Sequence, residues 1–234
     1  MTADSAGLLQ RFDLTPAQAE PLAVLLDLLA LPEAPTSIHD QRRAVDVHIA
    51  DSLAGLAITD LREAHRIADV GAGAGLPGLV LAALLPDARV TLVESARRKC
   101  EFIRHAARAM GLGNAEVVWA RAEEWSDGLG RCDAVCARAL ASIPVLCEYA
   151  APLLRMEGVL IAWKGVVAEG EARDGRAAAL HLGLDPEAVV PVVPYRGSEH
   201  RTLHVFRKVA PTPPDYPRRA GIATKRPLSA KRLH

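Results

Sequence analysis

The stretch Asp69–Gly78, which reads DVGAGAGLPG, decides the fold class. Residues 67–70, which lead into the glycine turn, predict a buried strand, and the residues after the turn predict a helix through Leu85. Glycines permit a tight turn and let a ligand approach the backbone closely, and the following helix presents free N–H groups. We therefore expect a nucleotide-like ligand at this turn. The glycines do not identify that ligand, because GAGLPG from Gly73 is also a formal dinucleotide-binding match.

Beyond the turn, predicted strands alternate with predicted helices. The strands are expected at 89–94, 116–119, 132–137, 158–163, 189–193 and 203–207, and the helices at 97–110, 143–154 and 168–181. Such alternation predicts a parallel sheet covered on both faces. The last two strands have no helix between them and should pair antiparallel. We expect an α/β fold with a seven-stranded, Rossmann-like sheet, mostly parallel with an antiparallel last strand, as in S-adenosylmethionine-dependent methyltransferases.

Acidic residues near the strand ends bear on the ligand. Glu94 ends the second strand, where a carboxylate can accept hydrogen bonds from ribose hydroxyls. Ala122 and Glu123 follow the third strand, where a backbone N–H and a carboxylate could bind an adenine edge. Asp69 ends the first strand in the D-x-G-x-G-x-G form common in methyltransferases. These acids, and the lack of a substrate domain large enough for a dehydrogenase, favour S-adenosylmethionine over NAD. Glu94 could instead be an exposed strand-end carboxylate, and Glu123 could be a surface acid.

The chain divides into three predicted parts. Residues 1–60 form an N-terminal helical extension packed on the core, in which Thr15 and Pro16 are typical of a helix start. Residues 61–209 form the methyltransferase domain. Residues 210–234 form an irregular, basic C-terminal tail. Helical spacing of leucines supports the first helix, and residues 40–60 predict a second helical segment.

Charge and composition narrow the function further. Net charge is zero, yet residues 207–234 carry eight of the 28 basic residues and one of the 28 acidic ones. A basic tail is typical of a polyanion-binding protein, although it could simply be solvated. Half the residues are hydrophobic, but no apolar run has membrane-spanning length and no signal peptide is visible. Four scattered cysteines predict buried thiols in a cytoplasmic protein, and we expect no metal site.

Several motifs together resemble one family. DVGAGAGLPGL, VESARRK, ARAEEW and CARALASIPVL are similar to the bacterial 16S ribosomal RNA guanine-N7 methyltransferases of the RsmG/GidB family. HIADSL before the sheet, and TLHVFRK and YPRRAGIATKRPL after it, extend the resemblance over residues 40–228. The tail departs from the family pattern at Ala220 and at Ala223-Thr224, where the family commonly has proline.

The resemblance implies methyl transfer from S-adenosylmethionine to N7 of a guanosine in 16S ribosomal RNA. Residue by residue, it implies cofactor contacts for Gly71 and Leu76 of the turn, for the adenine-side pair Ala122 and Glu123, and for Arg138 after the fourth strand. The wider methyltransferase class implies the ribose role of Glu94. The full set expected to bind the cofactor is Asp69, Gly71, Gly73, Gly75, Leu76, Glu94, Ala122, Glu123 and Arg138.

Methyl transfer to guanine N7 requires no catalytic residue. This nitrogen carries an in-plane lone pair and no proton, so it can attack the methyl group without a general base. The Asn/Asp-Pro-Pro motif of amine methyltransferases is absent after the fourth strand, and Cys136 lacks the proline context of a catalytic cysteine. Catalysis should rest on positioning. Arg138 could help to position the reactants, or it could form a salt bridge to Asp69 or Glu94.

Lysine and arginine clusters are the expected contacts with RNA phosphates. The residues expected to bind RNA are Arg97, Lys99, Lys164, Arg218, Arg219, Lys225 and Arg226. Any of these could instead lie on a solvated face. His48 and Asp51 could line the substrate side or only pack a helix. No aromatic RNA-binding module is visible in the sequence, so recognition should depend on the shape of the ribosomal particle.

Two other functions stay open at this level. One is a small-molecule S-adenosylmethionine-dependent methyltransferase, which predicts a closed pocket and no effect of neutralising the basic tail. The other is a non-catalytic RNA-binding protein that senses the cofactor. We expect the 16S ribosomal RNA or the small ribosomal subunit as partner, no membrane, and a monomer.

Overall fold

A seven-stranded sheet forms the centre of the computed structural model, which describes residues 3–233. The strands are β1 Arg66–Val70, β2 Arg89–Glu94, β3 Ala115–Trp119, β4 Cys132–Arg138, β5 Leu154–Lys164, β6 Leu184–Pro191 and β7 Thr202–Lys208. The helices are α1 Ala3–Phe12, α2 Pro16–Ala30, α3 Gln41–Ala44, α4 Asp51–Leu53, α5 Thr59–Arg62, α6 Gly78–Leu84, α7 Arg97–Ala109, α8 Ile143–Ala150, α9 Glu169–His181 and α10 Ile222–Lys225.

The strand order is β3-β2-β1-β4-β5-β7-β6. β1 pairs parallel with β2 and β4, and only β7 runs antiparallel, between β5 and β6. This confirms the predicted fold class, including the antiparallel last strand. Because β1, β2, β3 and β4 are parallel, their carboxyl ends lie along one edge of the sheet, where a ligand is expected to bind.

β1 lies at the centre of the sheet and is buried on both faces. Ile67 packs in the hydrophobic cluster on one face and Ala68 in the cluster on the other, and both are fully shielded from solvent. Helices α2, α6 and α7 cover the first face, and α8 and α9 cover the second. The glycine turn therefore starts from a buried, central strand of the sheet.

The predicted N-terminal helices are present. α2 begins at Pro16, and the Gln18 side chain accepts a hydrogen bond from the Thr15 N–H (3.0 Å). The predicted helical segment 40–60 is also helical, but it is divided. A π-helical stretch, Val45–Ala50, separates α3 from α4, and such wide turns often lie at functional sites.

Four predicted details were wrong. The helix after β4 ends at Ala150 rather than at residue 154, and β5 begins at Leu154 rather than at residue 158. β6 begins at Leu184, earlier than its polar start suggested, because it pairs along most of β7. The segment from residue 210 onward contains a short helix, α10, and a 3-10 turn, Ala230–Arg232, rather than only irregular chain.

None of the helices within residues 3–233 combines the length and the apolarity needed to cross a bilayer. All four cysteines are buried and free of disulfides. Burial raises the pKa of Cys136, which lies inside β4. Its thiol is thus held in the protonated form, which is a poor nucleophile.

Candidate active site

The turn after β1 and the end of β2 are joined by the carboxylate of Glu94. Its Oε2 accepts a hydrogen bond from the Gly73 N–H (3.0 Å), and its Oε1 accepts one from the Ala96 N–H (2.8 Å). These two bonds fix the carboxylate between the turn and the start of α7. The Ser95 hydroxyl also donates to Oε1, at 3.5 Å. A carboxylate has about four acceptor positions, so Glu94, which lines the cleft, keeps acceptor capacity for a ligand hydroxyl.

Three glycines of the turn, Gly71, Gly73 and Gly75, have backbone angles that other residues rarely adopt. Gly75, at φ +87°, donates its N–H to Ala72 and accepts from the Leu79 N–H, both at 2.7 Å, and thereby starts α6. A Cβ at Gly75 would lie 2.4 Å from Leu79 Cδ1. Gly73 has φ +60°, and the nearest neighbour of a Cβ there is the Gly71 carbonyl at 3.8 Å. Gly73 therefore presents open backbone to the cleft.

Asp69 lies underneath the turn and is completely buried. Its Oδ2 accepts a hydrogen bond from the Gly78 N–H (2.8 Å), while its Oδ1 has no partner among the described residues. Burial raises the pKa of Asp69 to about 7, although the Gly78 N–H and Arg138 act in the opposite direction. Asp69 ties β1 to α6 and does not line the cleft, so its expected contact with the cofactor stays a prediction.

A cleft of about 470 Å³ opens above the turn, at the carboxyl edge of the sheet. Six of the residues predicted to bind cofactor or RNA line it. They are Gly71, Gly73, Leu76, Glu94, Lys99 and Arg138. The cleft has the volume of a typical small-molecule site. Its other wall comes from the N-terminal extension and the loop before β7, through Thr36, His48, Asp51 and Arg201.

Arg138 does not pair with Asp69 or Glu94. Its Nη1 donates to the Val47 carbonyl and to Asp51 Oδ2, both at 2.9 Å. Arg201 pairs with the other oxygen of the same carboxylate, with Nε 2.8 Å from Asp51 Oδ1. The Asp51 side chain is only 1% exposed. One buried acid thus orients two arginines at the cleft wall.

His48 lies one helical turn before Asp51 and is buried beside the same cleft. Its Nε2 hydrogen-bonds with the Thr36 hydroxyl (3.0 Å), and its Nδ1 has no partner among the described residues. Burial, and secondarily the charge of Arg138, lowers the pKa of His48 to about 4. The imidazole is therefore neutral at physiological pH. Both residues of HIADSL for which a substrate-side position was considered do border the cleft.

The adenine-side pair lies beside the cleft rather than in it. Ala122 and Glu123 begin a 3-10 turn after β3, and neither lines the 470 Å³ volume. Glu123 Oε1 accepts a hydrogen bond from the Gly221 N–H (2.9 Å). The C-terminal tail thus reaches the loop that was expected to bind the cofactor.

The seven residues predicted to bind RNA fall into two groups. Arg97 pairs with Glu101 at 2.9 Å, Lys164 with Glu171 at 2.7 Å, and Arg218 with buried Glu148 at 2.5 Å. The ion pairs found within residues 3–233 leave out the other four, Lys99, Arg219, Lys225 and Arg226. The charged side chains of this second group are therefore available to bind RNA phosphates.

Sequence reasoning missed two residues near this edge. Arg201 precedes β7 and joins the cleft only because the sheet places β7 beside β5; no local pattern indicated it. Trp119, at the end of β3, is 57% exposed, and its Nε1 donates to the Ser95 carbonyl (2.9 Å). The Arg97 guanidinium lies 5.8 Å from the Trp119 ring centroid. An exposed tryptophan at a strand end was the available signal.

Solved structures place this architecture in the S-adenosylmethionine-dependent methyltransferase fold. A methyltransferase of that class from Aquifex aeolicus superposes with a TM-score of 0.57 at 14% identity, covering 81% of this chain and 98% of that one. Aeropyrum pernix fibrillarin, solved with natively bound S-adenosyl-L-methionine, gives a TM-score of 0.54 at 17% identity, covering 67% and 72%.

Sequence comparison narrows the class to one family. Residues 28–197 match the GidB family, described as rRNA small subunit methyltransferase G, and the chain belongs to that family. A relative of that name from Rubrobacter xylanophilus is 46% identical, covering 77% of this chain and 72% of its own. One from Pelotomaculum thermopropionicum is 41% identical, covering 82% of each. The predicted family is thereby confirmed.

Proposed function

We propose that this protein transfers a methyl group from S-adenosylmethionine to N7 of a guanosine in the 16S ribosomal RNA of the small subunit. The observation that carries the proposal is the cleft at the carboxyl edge, where the glycine turn, Glu94 and Arg138 meet in a chain of the GidB family. The relatives are named for small-subunit ribosomal RNA. Guanine N7 is the acceptor that the family resemblance implies.

The residues present fit the cofactor. Gly73 leaves room for a ligand against the backbone, and Glu94 keeps acceptor capacity for a ribose hydroxyl. Glu123 can offer its second carboxylate oxygen to an amino group, because only Oε1 is engaged. When bound, S-adenosylmethionine supplies an electrophilic methyl group on a sulfonium. Gly71, Gly73, Leu76, Glu94, Ala122, Glu123 and Arg138 would hold it, with Asp69 and Gly75 shaping the turn from behind.

The electrostatics of the cleft suit an acceptor that has no proton to lose. Glu94 is engaged by two N–H groups. His48, with a pKa of about 4 and a buried ring, is a weak base. The chain's own contribution is then positioning, in which Asp51 holds Arg138 by a hydrogen bond and forms an ion pair with Arg201 at the wall. Such orientation can contribute about 7–11 kcal/mol to lowering a bimolecular barrier.

RNA binding would use cations along the same edge. Lys99 lines the cleft, and Arg219, Lys225 and Arg226 are exposed on the tail. A second groove, of about 880 Å³, lies between α9 and the tail and includes Lys225, Arg226, Lys231 and Arg232. Arg97, Lys164 and Arg218 already pair with acids, and a phosphate would have to compete for them.

We also propose three domains with the bounds 1–60, 61–209 and 210–234, and a monomer located in the cytoplasm. A ribosomal substrate supports the location.

Methyl transfer from labelled S-adenosylmethionine to small subunits from cells that lack this protein tests the proposal. We expect incorporation at one guanosine, identified as N7-methylguanosine after nuclease digestion. Subunits from cells that contain the protein should take up no further label, which controls for specificity. Label at another nucleotide, or cofactor binding without any transfer, would overturn the proposal.

A further inference from the structure

The C-terminal tail is anchored to α8 by a buried ion pair. Arg218 Nε donates to Glu148 Oε1 at 2.8 Å, and Arg218 Nη2 donates to Glu148 Oε2 at 2.5 Å. The Glu148 side chain has no solvent exposure. Because a buried carboxylate needs a partner, Arg218 fixes the tail at one point and is not a free cation.

Beyond this anchor, the tail packs against the loops that flank the cleft. Ala223 is 1% exposed and lies in a small cluster with Val145 and Tyr149, against which Ala122 and Ala141 also pack. The Tyr149 hydroxyl hydrogen-bonds with the Thr224 hydroxyl at 3.0 Å. The tail therefore supports the loop after β3 and the loop after β4 at once.

The contact nearest the cofactor site is the hydrogen bond from the Gly221 N–H to Glu123 Oε1, 2.9 Å long. A carboxylate held through one oxygen has a fixed direction for the other. For Glu123 that second oxygen is the acceptor expected to bind the amino group of adenine. Ala122, the other member of the pair, packs against the small cluster that contains Ala223.

We propose that the docked tail is a positioning element of the cofactor site. Gly221 and Ala223 hold Ala122 and Glu123 in place, so tail docking and cofactor binding stabilise each other. The proposal rests on the adenine-side role of that pair in the proposed function. By linkage, the factor by which docking tightens cofactor binding equals the factor by which cofactor tightens docking. RNA that binds the exposed cations of the same segment would also shift the docking equilibrium. These cations are Arg219, Lys225 and Arg226.

The first test uses the unaltered full-length protein and trypsin, which cuts after exposed lysine and arginine. S-adenosylhomocysteine at saturation should slow cleavage after Arg219 and Lys225, both exposed on the tail, at least about fivefold, a typical coupling factor. Cleavage after Arg131, which is exposed in the turn before β4 at the opposite edge of the sheet, serves as the internal control. Equal slowing at all these positions, or none at the tail, would overturn the proposal.

The second test undocks the tail by substitution. Ala223→Glu places a charge in the buried cluster, whereas Ala220→Glu adds the same charge at an exposed position three residues earlier. Arg218→Gln removes the anchor, and Arg219→Gln is its matched control. We expect Ala223→Glu and Arg218→Gln to weaken S-adenosylhomocysteine binding in calorimetry about fivefold or more, with both controls unchanged. Unaltered affinity in a variant whose tail is cut rapidly contradicts the inference.

The outcome also separates this inference from the proposed function. Binding of S-adenosylhomocysteine does not involve the methyl acceptor. A protein that couples its tail to the cofactor but fails to methylate small subunits would disprove the proposed function alone. A protein that methylates them, yet binds cofactor equally with the tail undocked, would disprove the inference alone.

Discussion

The glycine turn and the C-terminal tail both contribute to the proposed cofactor site. The turn is held by partners close in sequence, whereas the tail is held by partners that are distant in sequence. In the turn, Gly78 bonds to Asp69 nine residues away, and Gly73 bonds to Glu94 across 21 residues. In the tail, Arg218 reaches Glu148 across 70 residues and Gly221 reaches Glu123 across 98. The turn is specified by its own strand, helix and next strand. The tail is specified by partners that become neighbours only after the sheet has formed.

The comparison predicts the largest effect for Gly75→Ala. At φ +87° a residue with a Cβ costs about 1–2 kcal/mol, and the Cβ would lie 2.4 Å from Leu79 Cδ1. Leu79 is fully buried and cannot move away freely, so overpacking adds about 1–3 kcal/mol. We expect calorimetry to detect little cofactor binding, and chemical denaturation to show a loss of about 2–5 kcal/mol.

Gly113→Ala is the matched control, because a Cβ there meets nothing within 4 Å and the backbone angle is ordinary. We expect it to bind cofactor as the unaltered protein does. If Gly75→Ala behaves like Gly113→Ala, the turn is not the rigid element that its local hydrogen bonds indicate.

A second prediction uses pH to probe the acid beneath the turn. Burial raises the pKa of Asp69 to about 7 from its ordinary value of 3.8. The folded state then keeps a proton that the unfolded state releases, so this group's contribution to stability falls as pH rises from about 4 to about 7. Asp69→Asn keeps the neutral form and should remove that fall, which amounts to at most about 4 kcal/mol at about 1.4 kcal/mol per pKa unit.

Urea denaturation at pH 5, 6, 7 and 8 measures this effect as the difference in the free energy of unfolding between Asp69→Asn and the unaltered protein. The difference should shift in favour of the variant as pH rises to about 7 and then level off. Asp87→Asn, at an exposed turn, controls for the loss of a surface carboxylate. A difference that stays constant across this range would show that Asp69 is ionised throughout.

The third prediction concerns Glu94, whose side chain joins the glycine turn to the end of β2. Glu94→Gln keeps the shape of the side chain but removes the charge from its bonds to Gly73 and Ala96. Hydrogen bonds to charged groups contribute about 1.5–3 kcal/mol. We expect cofactor binding to weaken about 10- to 150-fold by calorimetry. Glu116→Gln, on exposed β3 and paired with Arg89, is the control and should leave cofactor affinity unchanged.

The same difference between the two regions explains what could be predicted from the sequence. The strand-turn-helix pattern, the acid at Glu94 and the antiparallel last strand follow from local periodicity and short-range geometry, and the structure has them. Arg218 shows where this reasoning stops. It stands next to Arg219 in a basic tail that resembles the tail of the family, so it was assigned to RNA, but it pairs with Glu148, which is distant in sequence. Nothing near residue 218 indicates that partner.

Asp51 and Arg201 make the same point within the cleft. Asp51 is on the N-terminal extension, Arg138 ends β4 and Arg201 precedes β7. Their meeting depends on the order β4-β5-β7 in the sheet and on how the extension packs over it. Charge pairs between distant elements have no periodicity, so a single sequence does not reveal them. The positions of β-strands are more readily predicted than the side chains that converge at their ends.

The smallest predicted effect is that of the exposed tail cations. Lys225→Gln combined with Arg226→Gln should leave the Arg218 anchor and the cofactor affinity intact, because neither side chain takes part in docking. Binding to small subunits should weaken, and the slope of log K against log salt should become shallower by about 0.7–0.9 for each lost phosphate contact. Filter binding across a salt series measures that slope. Arg66→Gln with Arg131→Gln removes the same charge from the amino ends of β1 and β4, and its slope should match that of the unaltered protein. Equal slopes in both double variants would mean that the salt dependence of RNA binding is set by the net charge of the protein rather than by a tail held in place by Glu148.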